Sequence, residues 1–414
     1  MQNLQLSEEN IRVRDYVVEH AVIAHRGTTF WAPEETEAAY RWARNIGADY
    51  LEVDIQRSKD NVLLALHDNN LSRTTDCKEI FPKDNSYQAG NYTYKELMQL
   101  DAGTWFNLAN PNNKRDSYFK ETQAIKCNQK AYSFSGLDIS GEPDSSLAIE
   151  YPDNEIYIGG KQYISTLEDV LMIAKGWRIA RNKYGERLYN IIEDNSAVHY
   201  QFFYVKDTED NGNRPGIYIE TKKPELYPEV ESDLYEALKI RGWNVAENPI
   251  KIDVPFYKNN LVNTGNTNGR IVLQTFSPKS LKNLDTVFKG KIPICFLLWL
   301  GDDNMPKSDS DTYLKNINFA IKNNAHFIGP SIAGKPNNYS DLLEEWQAKL
   351  IHQSGLKIHA YSFDTKYQTE LYTKRTDAMF TNRSGLTIQF YKRRGLKTEI
   401  PEADAIQTLK YIGY

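Results

Sequence analysis

The sequence predicts a TIM-type (β/α)8 barrel with insertions, and three observations lead there. Short apolar, β-branched runs alternate with longer segments of helical periodicity, the pattern of repeated βα units around a parallel sheet. Eight such runs can be placed, enough to close a barrel. Side chains capable of chemistry stand at the C-terminal ends of several runs, the face on which barrels of this kind carry their sites.

The strands are expected at Val22-His25, Tyr50-Ile55, Ile217-Thr221, Ile271-Phe276, Ile294-Leu298, His326-Ile328, Lys357-Ser362 and Ala378-Thr381. A further run, Val62-Leu66, follows the second strand after only Ser58-Lys59-Asp60-Asn61. That link is too short for a parallel crossover, so the run reads as a hairpin arm and not a stave. Helices are expected to begin near Glu35, Leu167, Glu229, Pro278, Thr312, Ser340 and Lys366. Ser165 with Glu168, just before Val170-Leu171-Ile173-Ala174, reads as a capping box, and Gly47 as the left-handed cap that ends the first helix.

Two segments break the alternation. Both are rich in Asn, Asp, Gly, Pro, Ser and Tyr and read as insertions, the first ordered in part by aromatics such as Trp105 and Phe106. The expected organisation is one barrel over residues 21–390, with an insertion at 71–163, an extra loop at 189–214, and extensions at 1–20 and 391–414.

Composition narrows the partners. Lys and Arg number 50 against 55 Asp and Glu, a net charge of −5 without basic blocks, so the footprint of a nucleic-acid or anionic-membrane binder is missing. The longest apolar stretch, Ile292 to Leu300, falls far short of the roughly 20 residues that span a bilayer, so no transmembrane segment is expected. Cys77, Cys127 and Cys295 are far apart, which supports neither a metal cluster nor a disulfide framework and leaves room for one disulfide. Met1 to His20 are polar and hold no signal-type apolar region, so the expectation is a cytosolic chain or a trimmed mature form.

The second strand reads Leu51-Glu52-Val53-Asp54-Ile55, and period-2 alternation sets Glu52 and Asp54 on one face and the apolar residues on the other. Two inward carboxylates repel and resist desolvation, a conflict that a hard divalent cation resolves. An isolated Glu-x-Asp reads more readily as a solvent-facing edge or an Arg partner. Here Tyr218, Glu220 and Lys222 share the polar face of the next stave, so Glu52, Asp54 and Glu220 together can hold one Mg2+ or Ca2+. Lys222 would bind phosphate beside them; its plainer reading is an internal ion pair with Glu220. His25 ends the first strand and His67 the hairpin arm, and imidazoles suit acid and base work near neutrality.

His25-Arg26-Gly27, Pro33-Glu34-x-Thr36, Gly47-Ala48-Asp49, Glu52-x-Asp54, His67-Asp68 and Arg73-Thr74-Thr75 resemble, in order and spacing, the signature of the glycerophosphodiester phosphodiesterases. Asp101-Ala102-Gly103-Thr104-Trp105-Phe106 resembles the start of that family's substrate-side insertion, and Ser165-Thr166-Leu167-Glu168 the helix after it. Gly216-Ile217-Tyr218-Ile219-Glu220-Thr221-Lys222 resembles the third-ligand strand of its long periplasmic form. The resemblance runs from about Val22 through Asn382 and departs at Glu35 for the usual Asn, Ser165 for Pro, and Thr381-Asn382-Arg383 for Thr-Asp.

It implies a barrel of the phosphatidylinositol-phospholipase type, with one divalent cation, Ca2+ or Mg2+, on Glu52, Asp54 and Glu220. His25 and His67 become the acid-base pair, and Arg26 and Lys222 hold the substrate phosphate. The implied reaction is hydrolysis of glycerophosphodiesters, such as glycerophosphocholine or glycerophosphoethanolamine, to glycerol 3-phosphate and an alcohol. The implied location is periplasmic or secreted, and a homodimer stays open. Two other readings use the same barrel. One is a phospholipase D-like enzyme on phospholipid headgroups, which the mostly polar and aromatic insertions disfavour. The other is a binding protein for a glycerophospho-ligand or glycan, for which an intact acid-base pair gives no reason.

Overall fold

The structure, a computed structural model, describes residues 3–108, 157–194, 197–243, 255–265, 267–334, 337–399 and 403–414. Cys127 and the 109–156 portion of the first insertion lie outside the described residues. Eight parallel strands close on themselves: β1 (Ala21–Ala24), β2 (Tyr50–Arg57), β3 (Gly216–Thr221), β4 (Ile271–Thr275), β5 (Ile294–Leu298), β6 (Phe327–Pro330), β7 (Lys357–Phe363) and β8 (Ala378–Thr381). The ring closes where β1 pairs β8 through Ala21 and Ala378 and β2 through Ile23 and Tyr50.

Seven helices return each strand to the next, α1 (Glu37–Ile46), α2 (Leu167–Ala174), α3 (Val230–Ile240), α4 (Pro278–Phe288), α5 (Ser310–Lys322), α6 (Glu345–Gln353) and α7 (Lys366–Tyr372), and α8 (Ser384–Arg393) follows the last strand. The last of these is a helix that the sequence reading omits. Gly47 ends α1 with φ of 93°, as expected for a left-handed cap. The capping box of α2 sits one residue later than predicted, on Thr166 and Asp169. Ser165 is not free to open the helix, because its carbonyl accepts a hydrogen bond from Ala65 N at 2.8 Å.

Alternation sorts side chains as the barrel requires. Leu51, Val53, Ile55, Ile217 and Ile219 face the helices in the main apolar core. Tyr50, Tyr218, Val272, Leu297, Phe327 and Phe380 fill the interior, with Val17 from the N-terminal extension. Leu63–Ala65 pairs antiparallel with β2, Ile55 opposite Ala65 and Arg57 opposite Leu63, so this run is the hairpin arm. Residues 189–206, read from sequence as a loop, form ribbons instead: Tyr189–Asp194 pairs with Ala197–Phe202, and Tyr204–Lys206 with Trp177–Ile179. Buried Arg187 lies against the Phe202 ring, 3.8 Å from its centroid, and pairs with Asp169, which fixes the ribbon on α2.

The two extensions close the floor. Asp49, fully buried, accepts from Val22 N at 2.6 Å, from Tyr257 OH at 2.9 Å and from Lys397 Nζ. Lys397 is only 4% exposed, and burial lowers its pKa against the pull of Asp49. Lys397→Met therefore leaves a buried carboxylate without its cation, at an expected cost of about 3–5 kcal/mol. In urea unfolding its midpoint falls sharply, and adding Asp49→Asn recovers most of the loss. Equal midpoints for wild type and Lys397→Met would contradict this role.

Candidate active site

β2 and β3 pair in register, Glu52 opposite Tyr218 and Asp54 opposite Glu220. Two adjacent parallel strands thus bring three acids onto one inward face. Glu52 accepts from Arg26 N at 2.7 Å and from Gln274 Nε2 on β4 at 2.9 Å. Lys222 Nζ lies 3.0 Å from Glu220 and 3.7 Å from Asp54, so the internal ion pair of the plainer reading is present. Arg26 Nε stands 3.2 Å from Asp54 Oδ2 in an ion pair that falls short of hydrogen-bond alignment.

Arg26 reaches this position because its backbone is left-handed, with φ of 54°. Gly27 follows at φ of 80°, and a Cβ there would stand 2.8 Å from Ala39 Cβ and 2.9 Å from its carbonyl carbon. Only glycine lets this turn lie against α1.

The two imidazoles are held differently. His25 Nδ1 is 2.7 Å from Asn382 Oδ1, while Asn382 Nδ2 donates to Asp364 Oδ1 at 2.7 Å. The second bond fixes the amide, so His25 Nδ1 carries the proton and Nε2 is left basic. Asn337 Nδ2 in turn holds Asp364 Oδ2 at 2.7 Å. His67 Nδ1 lies 2.5 Å from Asp68 Oδ1, and Arg73 clamps Asp68 and Glu34 together. Gln56 Nε2 donates to the carbonyls of Leu66 and His67, at 3.0 and 2.9 Å, and so sets the end of the arm. Asn382, Asp364, Gln56 and Gln274 carry no sequence signal of a site role, since only the fold brings them to the histidines and acids. Asn382 was noted only as a departure.

Charge and burial shape every group here. Burial, then Asp54 and Glu220, push the Glu52 carboxyl well up. Burial opposes the charge of Asp54, but Lys222, His67 and Arg26 outweigh it and hold that carboxyl far below the usual range. Glu220 is pushed up to about 7 by burial, against Lys222. His25 is held down to about 3 by burial and then Arg26, and His67 to about 3 by burial, then Arg26 and Lys222.

Glu35 is the acid that sequence reasoning noted only as a departure. One oxygen each from Glu35, Glu52 and Asp54 lies within 4.8 Å of the other two, a buried acidic triad with the donors that a hard cation takes. Glu220 is outside that triad, across the strand pair from Asp54. Both oxygens of Glu35 are engaged, one by Asp54 N at 3.1 Å and the other by Tyr40 OH. His25, Arg26, Glu52, His67, Glu220 and Lys222 instead line one cavity of about 870 Å3 at the C-terminal end of the barrel.

A model of the glycerophosphoryl diester phosphodiesterase family matches residues 25–241, and the chain belongs to that family. A glycerophosphodiester phosphodiesterase of Bacillus subtilis is 24% identical over 344 residues, 83% of this chain and 76% of that one. One from Caldanaerobacter subterraneus is 44% identical over 85 residues, 20% of this chain and 32% of that one. Among solved structures, a Silicibacter pomeroyi protein assigned to the glycerophosphoryl diester phosphodiesterases aligns with a TM-score of 0.55 and 16% identity, covering 92% of this chain and 95% of that one. An Oleispira antarctica phosphodiesterase in complex with the product sn-glycerol-3-phosphate aligns with a TM-score of 0.50 and 18% identity, over 90% of this chain and 96% of that one. At these identities the structural likeness is one of fold.

The raised Glu52 carboxyl gives a pH-dependent prediction for the metal-free protein. Stability drawn from its neutral form is full below the unfolded value of 4.5 and is lost as pH rises through the higher folded value. Gln at position 52 imitates the neutral acid, and Gln274, whose Oε1 has no hydrogen bond, can turn its amide to meet it. In excess chelator at pH 8, Glu52→Gln should melt above wild type, with the gap closing toward pH 4.5. A variant that melts below wild type at pH 8 would contradict the assignment.

Proposed function

We propose that the protein hydrolyses glycerophosphodiesters, glycerophosphocholine and glycerophosphoethanolamine among them, to glycerol 3-phosphate and an alcohol. The carrying observation is that two imidazoles, two cations and two of the clustered carboxylates share one cavity at the barrel end. A phosphodiester is an anion with a poor leaving group, so a catalyst must offset its charge and protonate the departing oxygen. The cavity offers Arg26 and Lys222 for the first task and the histidines for the second. We take residues 21–390 as one catalytic unit.

The acids fit a divalent cation. Arg26 and Lys222 stand against Glu35, Glu52, Asp54 and Glu220, all buried, so some acids must hold protons unless a further cation arrives. We assign Ca2+ or Mg2+ to Glu52, Asp54 and Glu220, with Glu35 as the supporting group because its oxygens are already engaged. Bound there, such an ion supplies Lewis-acid polarisation of the nonbridging oxygens.

His25, with its basic Nε2 fixed by Asn382, is suited to take the proton of the attacking hydroxyl. His67, beside the Asp68 carboxylate, is suited to carry a proton and give it to the leaving alcohol. We take the attacking group to be the neighbouring glycerol hydroxyl. Its oxygen bonds to phosphorus, the bond to the alcohol oxygen breaks, and a cyclic phosphate forms. Water then opens the ring: His67 takes a proton from it, and His25 returns one to the glycerol oxygen.

A panel of glycerophosphodiesters assayed with Mg2+, Ca2+ or excess chelator, reading glycerol 3-phosphate, tests this. Chelation abolishes turnover, and His67→Ala loses about 10²- to 10⁴-fold in kcat. His67→Ala keeps the gain in melting temperature that the cation gives wild type, and Glu52→Gln loses it. Full turnover in chelator, or the same gain in Glu52→Gln, would overturn the metal assignment.

The pH profile offers a separate check. Arg26 and Lys222 are among the groups that hold His67 low, and a bound phosphodiester anion offsets both. The alkaline limb of kcat should therefore lie at higher pH than that of kcat/KM. Coincident limbs would contradict His67 as the acid.

A further inference from the structure

The aromatic wall of the cavity starts beside the phosphate-binding lysine and ends at a pair of acids. Lys222 Nζ lies 5.5 Å from the Phe276 ring centroid, and the Phe276 and Tyr361 rings meet edge to face at 5.8 Å. Tyr361 continues to Tyr339 at 6.2 Å, and Tyr339 to Trp299 at 5.2 Å. Trp299 leaves the end of β5 with 39% of its surface exposed, although it lines the cavity. The same loop then turns at Gly301, with φ of 106°, and presents Asp302 and Asp303 to the cavity.

Neither aspartate makes a side-chain hydrogen bond or ion pair among the described residues. Asp302 is partly buried, and burial with Asp303 beside it raises its carboxyl pKa, against Lys223. Lys223 itself shares the cavity lining with Glu225. Partly buried Asp302, with exposed Asp303 beside it, lines the same cavity as the exposed Trp299, and such an anionic rim next to an aromatic ring is the environment that an organic ammonium relieves. The ring quadrupoles attract the cation, and the acids neutralise it.

We propose that Trp299, Tyr339, Asp302 and Asp303 form the leaving-group subsite, and that it selects a phosphodiester whose alcohol carries an ammonium, choline or ethanolamine, over neutral or anionic alcohols. The proposal rests on the phosphodiesterase reading of the cavity and adds to it the charge of the alcohol. A headgroup of this chemistry comes either on a soluble ester or on a phospholipid surface.

The test compares glycerophosphocholine, glycerophosphoethanolamine, the neutral-alcohol diester glycerophosphoglycerol and the glycolate diester, whose alcohol is anionic, in solution, together with phosphatidylcholine vesicles, in wild type and Asp302→Asn/Asp303→Asn. In wild type the ammonium esters have the highest kcat/KM. The double variant loses about tenfold on them, mainly in KM, and less than about twofold on the neutral diester, since the charge contacts of the two acids together are worth roughly that factor. Choline release from vesicles at the rate of the soluble ester would assign the subsite to lipid surfaces; release from the soluble ester alone assigns it to deacylated substrates. Equal losses on charged and neutral esters, or a wild-type preference for the neutral one, overturn the subsite. If no ester turns over, the phosphodiesterase reading fails. The subsite is then read separately from choline binding by calorimetry, which must be present in wild type and lost in the double variant.

Discussion

Carboxylates packed inside a barrel end, out of reach of bulk water, are the constraint around which this molecule is arranged. Asp54 and Glu220 face each other across two parallel strands, with Glu52 one inward position away. In a low dielectric such a group is tolerable only if protonated, paired or bound to a cation. Arg26 and Lys222 pair with part of it, and the raised carboxyls of Glu35 and Glu52 show what is left over. The left-handed Arg26, the glycine after it and the Gln274 amide all serve to keep these groups close without collapse of the turn.

What the sequence revealed follows from periodicity. Strands buried on both faces read as short apolar runs, so the eight staves are legible, and period 2 sets Glu52 with Asp54, and Glu220 with Tyr218 and Lys222, each on one face, while the pairing of the two strands turns both faces to one site. His25 and His67 were visible because they end such runs. Glu35 was not visible as a neighbour of Glu52, because its approach depends on a left-handed backbone, φ of 59°, that no periodicity encodes. Asn382, Asp364 and Asn337 come from three separate loops and meet only in three dimensions, so the relay that orients His25 is a tertiary fact. The ribbons Tyr189–Asp194, Ala197–Phe202 and Tyr204–Lys206 read as loop in the sequence because their alternation is polar against aromatic, weak beside that of a buried strand; Tyr200 and Phe202 stack at 5.7 Å to give that alternation its packing face.

The chain divides its labour along the barrel axis. At the floor, Val17 and Lys397 come from segments outside the repeats, and the pairing of Lys397 with Asp49 at the foot of β2 fixes a rigid base. Beside the hairpin arm, Leu64, Leu66, Leu71, Tyr94 and Leu97 build a smaller apolar core that fixes the backbone carrying His67. At the open end, the loops after β4, β5 and β6 contribute Phe276, Trp299 and Tyr339, which line the cavity wall. The clustered acids and the lysine beside them are thus carried by staves, and the aromatic wall by loops.

In the proposed mechanism a cation and a phosphate meet between the acids and the two imidazoles. Crystals grown with Mn2+ and glycerol 3-phosphate, with anomalous scattering collected at the manganese edge, examine that directly. A single strong peak bounded by Glu52, Asp54 and Glu220, with the phosphate against Arg26 and Lys222 and one imidazole on either side, is the predicted result. Density for manganese elsewhere, or a phosphate out of reach of both histidines, would contradict it.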